Sequence, residues 1–258
     1  MSRNLSTFKK DGVPLKKSLG QNILTDKNII KKIIDSVDIK KSETILEIGP
    51  GLGAITTELV KKSNKVVCVE KDAKMVSALK EKISDLNIIN EDALVFLKKN
   101  PLKKYKVVAN IPYYITSSLI RSLLESDNKP TDIFLMIQKE VGKRICASKG
   151  DMSVLSVSVN YYAKPKILFT VSKNSFYPRP KVDSVFIRIT PNEKPRNNKF
   201  FGLVKEGFSH PRKQLANNLK DKELVREWLS KNNLPLGERA ENLSVEQWED
   251  LFNLMRKD

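Results

Sequence analysis

The sequence predicts an α/β fold, a mostly parallel sheet covered by helices on both faces, followed by a small all-helical domain. Three observations carry this expectation. Short apolar runs alternate with helical patterns from residue 44 to residue 145, as in parallel strands joined by crossover helices. A glycine-rich turn, Gly49-Pro50-Gly51-Leu52-Gly53, falls between the first strand and its crossover helix. Beyond Pro191 the strand patterns stop and only helical spacing remains.

Residues 1–25 form a basic, polar segment in which Lys9, Lys10, Lys16 and Lys17 precede Gly20-Gln21-Asn22-Ile23-Leu24. Asp26 is suited to cap a helix whose apolar residues, Ile29, Ile30, Ile33 and Ile34, recur at helical spacing. Strands are expected over 44–48, 65–70, 86–89, 105–109 and 131–137, with helices over 54–62, 72–83 and 116–124 and another carrying Val141 and Ile145. Residues 152–162 fit either helix or strand. Two late strands, 167–171 and 182–189, bring the count to seven and are expected to close the sheet with an antiparallel edge. Residues 192–198 read as a polar linker, so the expected domains are 1–192 and 193–258. The second would be built from helical patterns at 200–208, 215–219, 224–229 and 248–255.

Composition narrows the function classes. Hydrophobic residues make up 40% of the chain and charged residues 30%, as in a globular protein with a core. Basic residues exceed acidic ones by 47 − 30 = 17, which suits a partner that is a polyanion. Two cysteines, Cys68 and Cys146, do not make a disulfide framework. The start, Met-Ser-Arg-Asn-Leu-Ser, lacks the apolar core of a secretion signal, and no run is long enough for a membrane helix. A cytoplasmic protein without membrane contact is expected. The single histidine, His210, argues against Ser-His-Asp hydrolysis and against multi-histidine metal sites, so no metal is expected.

The glycine turn lets a ligand approach the backbone. With Gly49, Gly51, Ala54 and then Glu70 about 20 residues on, it satisfies a dinucleotide fingerprint, because a carboxylate ending the second strand can accept from both ribose hydroxyls. A nicotinamide cofactor and S-adenosylmethionine both remain open at this point. Three features favour the second. Glu47 puts a carboxylate at the first strand's end, where a cationic methionine moiety would be balanced. Glu91-Asp92-Ala93 follows the third strand, with Asp92 placed to accept from an adenine amine and Ala93 and Leu94 as apolar neighbours. Asn110-Ile111-Pro112-Tyr113 has the form of the amino-methyltransferase tetrad.

The tetrad has a chemical rationale. An exocyclic adenine amine is a weak nucleophile because its lone pair is delocalised into the ring. The Asn110 oxygen and a backbone carbonyl near Ile111 can hold both N–H groups and favour a more tetrahedral nitrogen. Pro112 fixes the turn and removes a donor. Tyr113 stacks on the extruded base, an interaction worth ~1–3 kcal/mol. Positioning carries the rate.

Taken in order, the motifs at 20–24, 47–51, 70, 91–93 and 110–113, with Phe176-Tyr177-Pro178-Arg179-Pro180-Lys181-Val182-Asp183-Ser184, resemble the ribosomal RNA adenine N6-dimethyltransferase family over nearly the whole chain. The match is closest to its KsgA-type small-subunit branch. The resemblance implies a Rossmann-like class I methyltransferase domain with a helical rRNA-binding domain behind it. It implies that Asn22 and Leu24 line the cofactor pocket, Gly49 backs the methionine portion, Glu70 holds the ribose and Asp92 the adenine. Asn110 would then lie at the reacting centre, and Phe176 would be a second aromatic wall opposite Tyr113. The implied reaction is four methyl transfers to two adjacent adenines in the 3′-terminal hairpin of small-subunit rRNA, by a monomer acting within a pre-30S particle. Two departures from the family pattern are Ile23, where Phe is frequent, and Arg179, where Pro is common. Lys16, Lys17, Arg179, Arg212 and Lys213 are the expected phosphate contacts. Readings that stay open beside this one are a large-subunit resistance-type enzyme, a binding protein without turnover and a nicotinamide oxidoreductase.

Overall fold

The computed structural model describes residues 9–10, 12–15, 20–99 and 102–256. Its seven central strands are β1 (Thr44–Ile48), β2 (Lys65–Glu70), β3 (Asn87–Asn90), β4 (Tyr105–Asn110), β5 (Asp132–Gln138), β6 (Ala163–Val171) and β7 (Ser184–Pro191). They lie in the order β3-β2-β1-β4-β5-β7-β6. The first five run parallel, and β7 returns antiparallel to β5 with Ser184 opposite Gln138. The antiparallel strand is therefore one place in from the edge, and β6 lies outside it.

Local chemistry sets the helix boundaries. Asp26 Oδ1 accepts from the backbone N–H groups of Asn28 and Ile29 and starts α1 (Lys27–Val37). Asp72 caps α3 (Ala73–Lys82) by accepting from Lys74 N, and α4 (Ala93–Lys99) and α5 (Thr116–Leu124) follow β3 and β4. The stretch at 152–162 resolves as a helix, α7 (Val154–Tyr162), because Ser153 and Ser156 form a reciprocal capping box. α2 (Thr56–Lys62) begins two residues later than its spacing suggested, the glycine turn running on through Ile55.

The strands read as near-continuous apolar runs because both faces are covered. On one face Ile45, Val66, Cys68, Val108, Phe134 and Phe186 pack with Ile33 and Ile34 of α1 and with Val76 and Leu79 of α3. On the other, Leu46, Val107, Ile133 and Leu135 are equally buried. Helix α6 (Lys139–Ile145) comes so close to the sheet that a Cβ at Gly142 would collide with the Val185 side chain.

The chain divides into two compact units, and not at the expected 192/193 boundary alone. One comprises Met1–Gly142 and Lys166–Pro191, the other Lys143–Pro165 and Asn192–Asp258. Aromatic packing explains the correction. Tyr161 of α7 stacks on Phe200 of α8 (Asn198–Gly207) at 4.6 Å between ring centroids and meets Phe201 edge-on. α7 thus supplies apolar surface to the helical unit. That unit is completed by α9 (Lys222–Lys231) and α10 (Val245–Leu254), whose Trp248 is fully buried.

Overpacking predicts that Gly142→Ala lowers unfolding free energy by about 1–3 kcal/mol in urea titration. Loss of the capping box predicts about 1 kcal/mol for Ser153→Ala by the same measurement.

Candidate active site

The C-terminal ends of β1, β2 and β4 converge on one cleft, where ligands bind in open α/β sheets. Its rim after β1 is the glycine turn. Gly49, Gly51 and Gly53 take φ of +71°, +55° and +79°, conformations that a side chain strains. Gly49 N donates to Val69 O at 3.0 Å, tying the turn to the neighbouring strand. An added Cβ on Gly51 would lie 3.2 Å from Ile23 Cδ1, so the N-terminal segment presses on the turn.

Three carboxylates follow one another along the cleft in different surroundings. Glu47 is buried, accepts from the Cys68 thiol at 3.5 Å, and makes no ion pair among the described residues. Burial pushes its pKa up to about 7, against the Cys68 bond and the nearby Thr56 hydroxyl, which favour the charged form. Burial beside Glu47 likewise pushes the Cys68 thiol up. Glu70 accepts from Asp72 N at 2.8 Å through Oε1 and from Gly51 N at 3.3 Å through Oε2. Burial raises its pKa, and those backbone bonds oppose the rise. They fix the carboxylate plane and leave each oxygen a further lone pair for a hydroxyl. Asp92 is half-buried. Its Oδ1 accepts from Leu94 N at 2.9 Å and its Oδ2 from Lys71 Nζ at 3.0 Å. Burial pulls its pKa upward, but the Lys71 ammonium and the backbone N–H outweigh it, and the carboxyl lies below its usual value.

Asn110 ends β4, and its Nδ2 donates to Asn22 O at 3.2 Å. That bond uses the amide's donor side and leaves Oδ1 as an acceptor. Asn22 is itself held, its Nδ2 donating to Gly20 O at 3.1 Å. Gly20 has φ of +61°, and a Cβ there would press on Pro112 at 3.2 Å. The Gly20–Asn22 backbone and the tetrad are therefore fitted face to face. Tyr113 begins a 3-10 turn, Tyr113–Ile115, and its hydroxyl lies 3.0 Å from Ser184 Oγ. Burial raises the phenol's pKa, with the Ser184 bond opposing it.

The cleft gathers Asn22, Leu24, Glu47, Gly49, Gly51, Glu70, Asp92 and Ala93, together with Asn110, Pro112 and Tyr113. Phe176 departs from expectation. It does not line the cleft but is buried in the core cluster with Leu24, its backbone pairing with Leu24 in a two-residue strand, while neighbouring Tyr177 is exposed. Arg179 lies on a second groove that shares Asn22 and Tyr113 with the cleft. Arg212, Lys213 and His210 are exposed in the helical unit. The expected contacts at Lys16 and Lys17 lie outside the described residues. Sequence reasoning gave no role to Lys71 or Tyr114, which also line the cleft. The doubled aromatic at 113–114 was the available signal for Tyr114.

A 3-2-1-4-5-7-6 sheet with a glycine turn after its first strand and carboxylates at successive strand ends defines a Rossmann-like methyltransferase. The family described as ribosomal RNA adenine dimethylase matches residues 13–257, and the chain belongs to it. It is 39% identical to the ribosomal RNA small subunit methyltransferase A of Dehalococcoides mccartyi strain CBDB1, over 93% of this chain and 89% of that protein. It is 40% identical to the same-named protein of Fusobacterium nucleatum, over 93% and 97%. A dimethyladenosine transferase from Plasmodium falciparum superposes with a TM-score of 0.78 at 28% identity, over 91% of this chain and 98% of that one. The 23S rRNA methyltransferase ErmE superposes with a TM-score of 0.76 at 25% identity, over 91% and 100%.

Glu47 gives a pH prediction. Its folded pKa, about 7, exceeds the ordinary 4.5, so the stability it contributes is intact below pH 4.5 and is lost as pH rises through about 7. In melting scans Glu47→Gln is expected to gain stability relative to the parent above pH 7, the gain shrinking toward pH 4.5.

Proposed function

We propose that the chain transfers methyl groups from S-adenosylmethionine to N6 of two adjacent adenines in the 3′-terminal hairpin of small-subunit rRNA. The setting would be a pre-30S particle in the cytoplasm, where the modification accompanies subunit biogenesis. The observation that carries this reading is the Asn110–Asn22 hydrogen bond, which presents an acceptor oxygen toward the cleft.

The cleft's residues suit the donor. A buried carboxylate with no partner cation among the described residues, Glu47, lies beside glycines that admit a ligand's close approach, and Glu70 keeps lone pairs for a vicinal diol. Asp92 can accept from an adenine amine once Lys71 shares or yields Oδ2. S-adenosylmethionine supplies an electrophilic methyl group on a sulfonium sulfur. Asn110 Oδ1 accepts one N–H of the target amine and favours a more tetrahedral nitrogen, whose lone pair is less delocalised into the ring. Pro112 contributes no competing N–H. Tyr113, pinned at its hydroxyl by Ser184, offers a fixed ring to the extruded base. No side chain has to act as general base, because the methylated ammonium loses its proton readily to water.

The small-subunit assignment rests on relatives of that name at 39–40% identity over 93% of the chain, against 25% for the 23S enzyme. Exposed Arg212 and Lys213 in the helical unit, and Arg179 in the first, would grip phosphates without reading sequence. Primer extension on both rRNAs from a strain lacking the gene tests the assignment: loss of the paired small-subunit stops supports it, and their retention overturns it.

With labelled donor and immature small subunits, Asn110→Ala is expected to cut transfer by about 10²–10³-fold while RNA binding persists. Glu70→Ala is expected to weaken donor affinity by about tenfold or more in calorimetry, since it removes acceptors for two hydroxyls.

A further inference from the structure

A second groove shares Asn22 and Tyr113 with the cleft and is lined further by Gln138, Pro178, Arg179 and Lys181. The half-buried Gln138 ends β5, and its side-chain amide has no hydrogen-bond partner among the described residues. Sheet register places it. Gln138 is directly opposite Ser184 across the antiparallel β5–β7 pair, so the two side chains stand on one face as neighbours. Asn110 lies opposite Met136 in the parallel β4–β5 pair. Strand periodicity puts Met136 and Gln138 on the same face, and with them Asn110. Ser184 is the residue that holds the Tyr113 hydroxyl. A free amide therefore sits in line with the acceptor Asn110 and beside the far end of the tyrosine ring.

We infer that Gln138 reads the target base, its amide N–H donating to a ring nitrogen flanking the reacting amine. This rests on the proposed adenine N6 activity and adds a specificity-determining residue to it. A base stacked on Tyr113 with its amine at Asn110 Oδ1 turns one flank of the amine toward Gln138. On that flank adenine presents an acceptor, N1 or N7. Guanine, whose carbonyl replaces the amine, offers Asn110 Oδ1 no N–H, whichever way the Gln138 amide turns. The unpaired amide supplies the discrimination, because a base without the matching acceptor would leave it buried and unbonded. Arg179 and Lys181, both exposed and free of ion pairs among the described residues, stand at the groove's rim, where the backbone of the extruded nucleotide would pass.

The test uses the full-length protein and small subunits reconstituted with 1-deazaadenosine or 7-deazaadenosine at the target position. For the parent enzyme kcat/KM is expected to fall about tenfold with one analogue and little with the other. Gln138→Ala and the volume-matched Gln138→Met should each lose about tenfold on unmodified subunits, with no further loss on the sensitive analogue and unchanged donor affinity in calorimetry. If neither analogue slows the parent, or if both variants stay within about twofold of it on unmodified subunits, the assignment is overturned. The analogue arm of the parent enzyme decides alone if Gln138→Ala fails to fold. A parent enzyme that transfers no methyl group to unmodified subunits would instead overturn the activity on which the assignment depends.

Discussion

The site depends on one hydrogen bond, from Asn110 Nδ2 to the Asn22 carbonyl at 3.2 Å. A primary amide at a strand end can turn either its oxygen or its nitrogen toward a substrate, and only the oxygen can accept from an amine. The bond decides between them. It needs the Gly20–Asn22 backbone to lie against the tetrad, which in turn needs Gly20, since a Cβ there would press on Pro112. Asn22 is fixed by Gly20 O, and the short strand Ile23–Leu24 is anchored by pairing with Phe176–Tyr177. The orientation of one amide is thus set by contacts between segments more than 80 residues apart in the chain.

A second constraint is electrostatic. The ends of β1 and β2 and the loop after β3 each bring a carboxylate to the same cleft, and each has different neighbours. Glu47 is buried without a cation among the described residues, Glu70 is held by backbone N–H groups, and Asp92 is paired with Lys71. A cationic group entering beside Glu47 would relieve the cost of its burial, whereas Asp92 already has its counter-ion. The cleft therefore favours a ligand carrying positive charge near the glycine turn and neutral, hydrogen-bonding groups farther along.

Much of the first unit was legible in the chain. The parallel strands carry uninterrupted apolar runs because both their faces are buried, and Asp26 announces its helix by capping it. Gly49, Glu70, Asp92 and Asn110 were readable because each is a polar or glycine residue at the end of such a run or just after it. What escaped the sequence depends on partners distant in the chain. Tyr161 and Phe200 meet across a long separation, and nothing local in 154–162 says that this helix packs there. Phe176 carries the motif of an aromatic wall, yet strand pairing with Leu24 turns it into the core. Gln138 looks like the polar end of a strand until its register with Ser184 is known.

In the proposed methyl transfer, the free oxygen of Asn110 bears on when the chemistry stops. It grips a nitrogen only through an N–H, and each transfer replaces one N–H by a methyl group. An unmodified amine has two such handles, a singly substituted one has one, and a fully substituted one has none. In the proposed reaction the atom that primes the nitrogen for attack would lose its hold when the second methyl arrives, so the finished nucleoside would be let go without any separate signal.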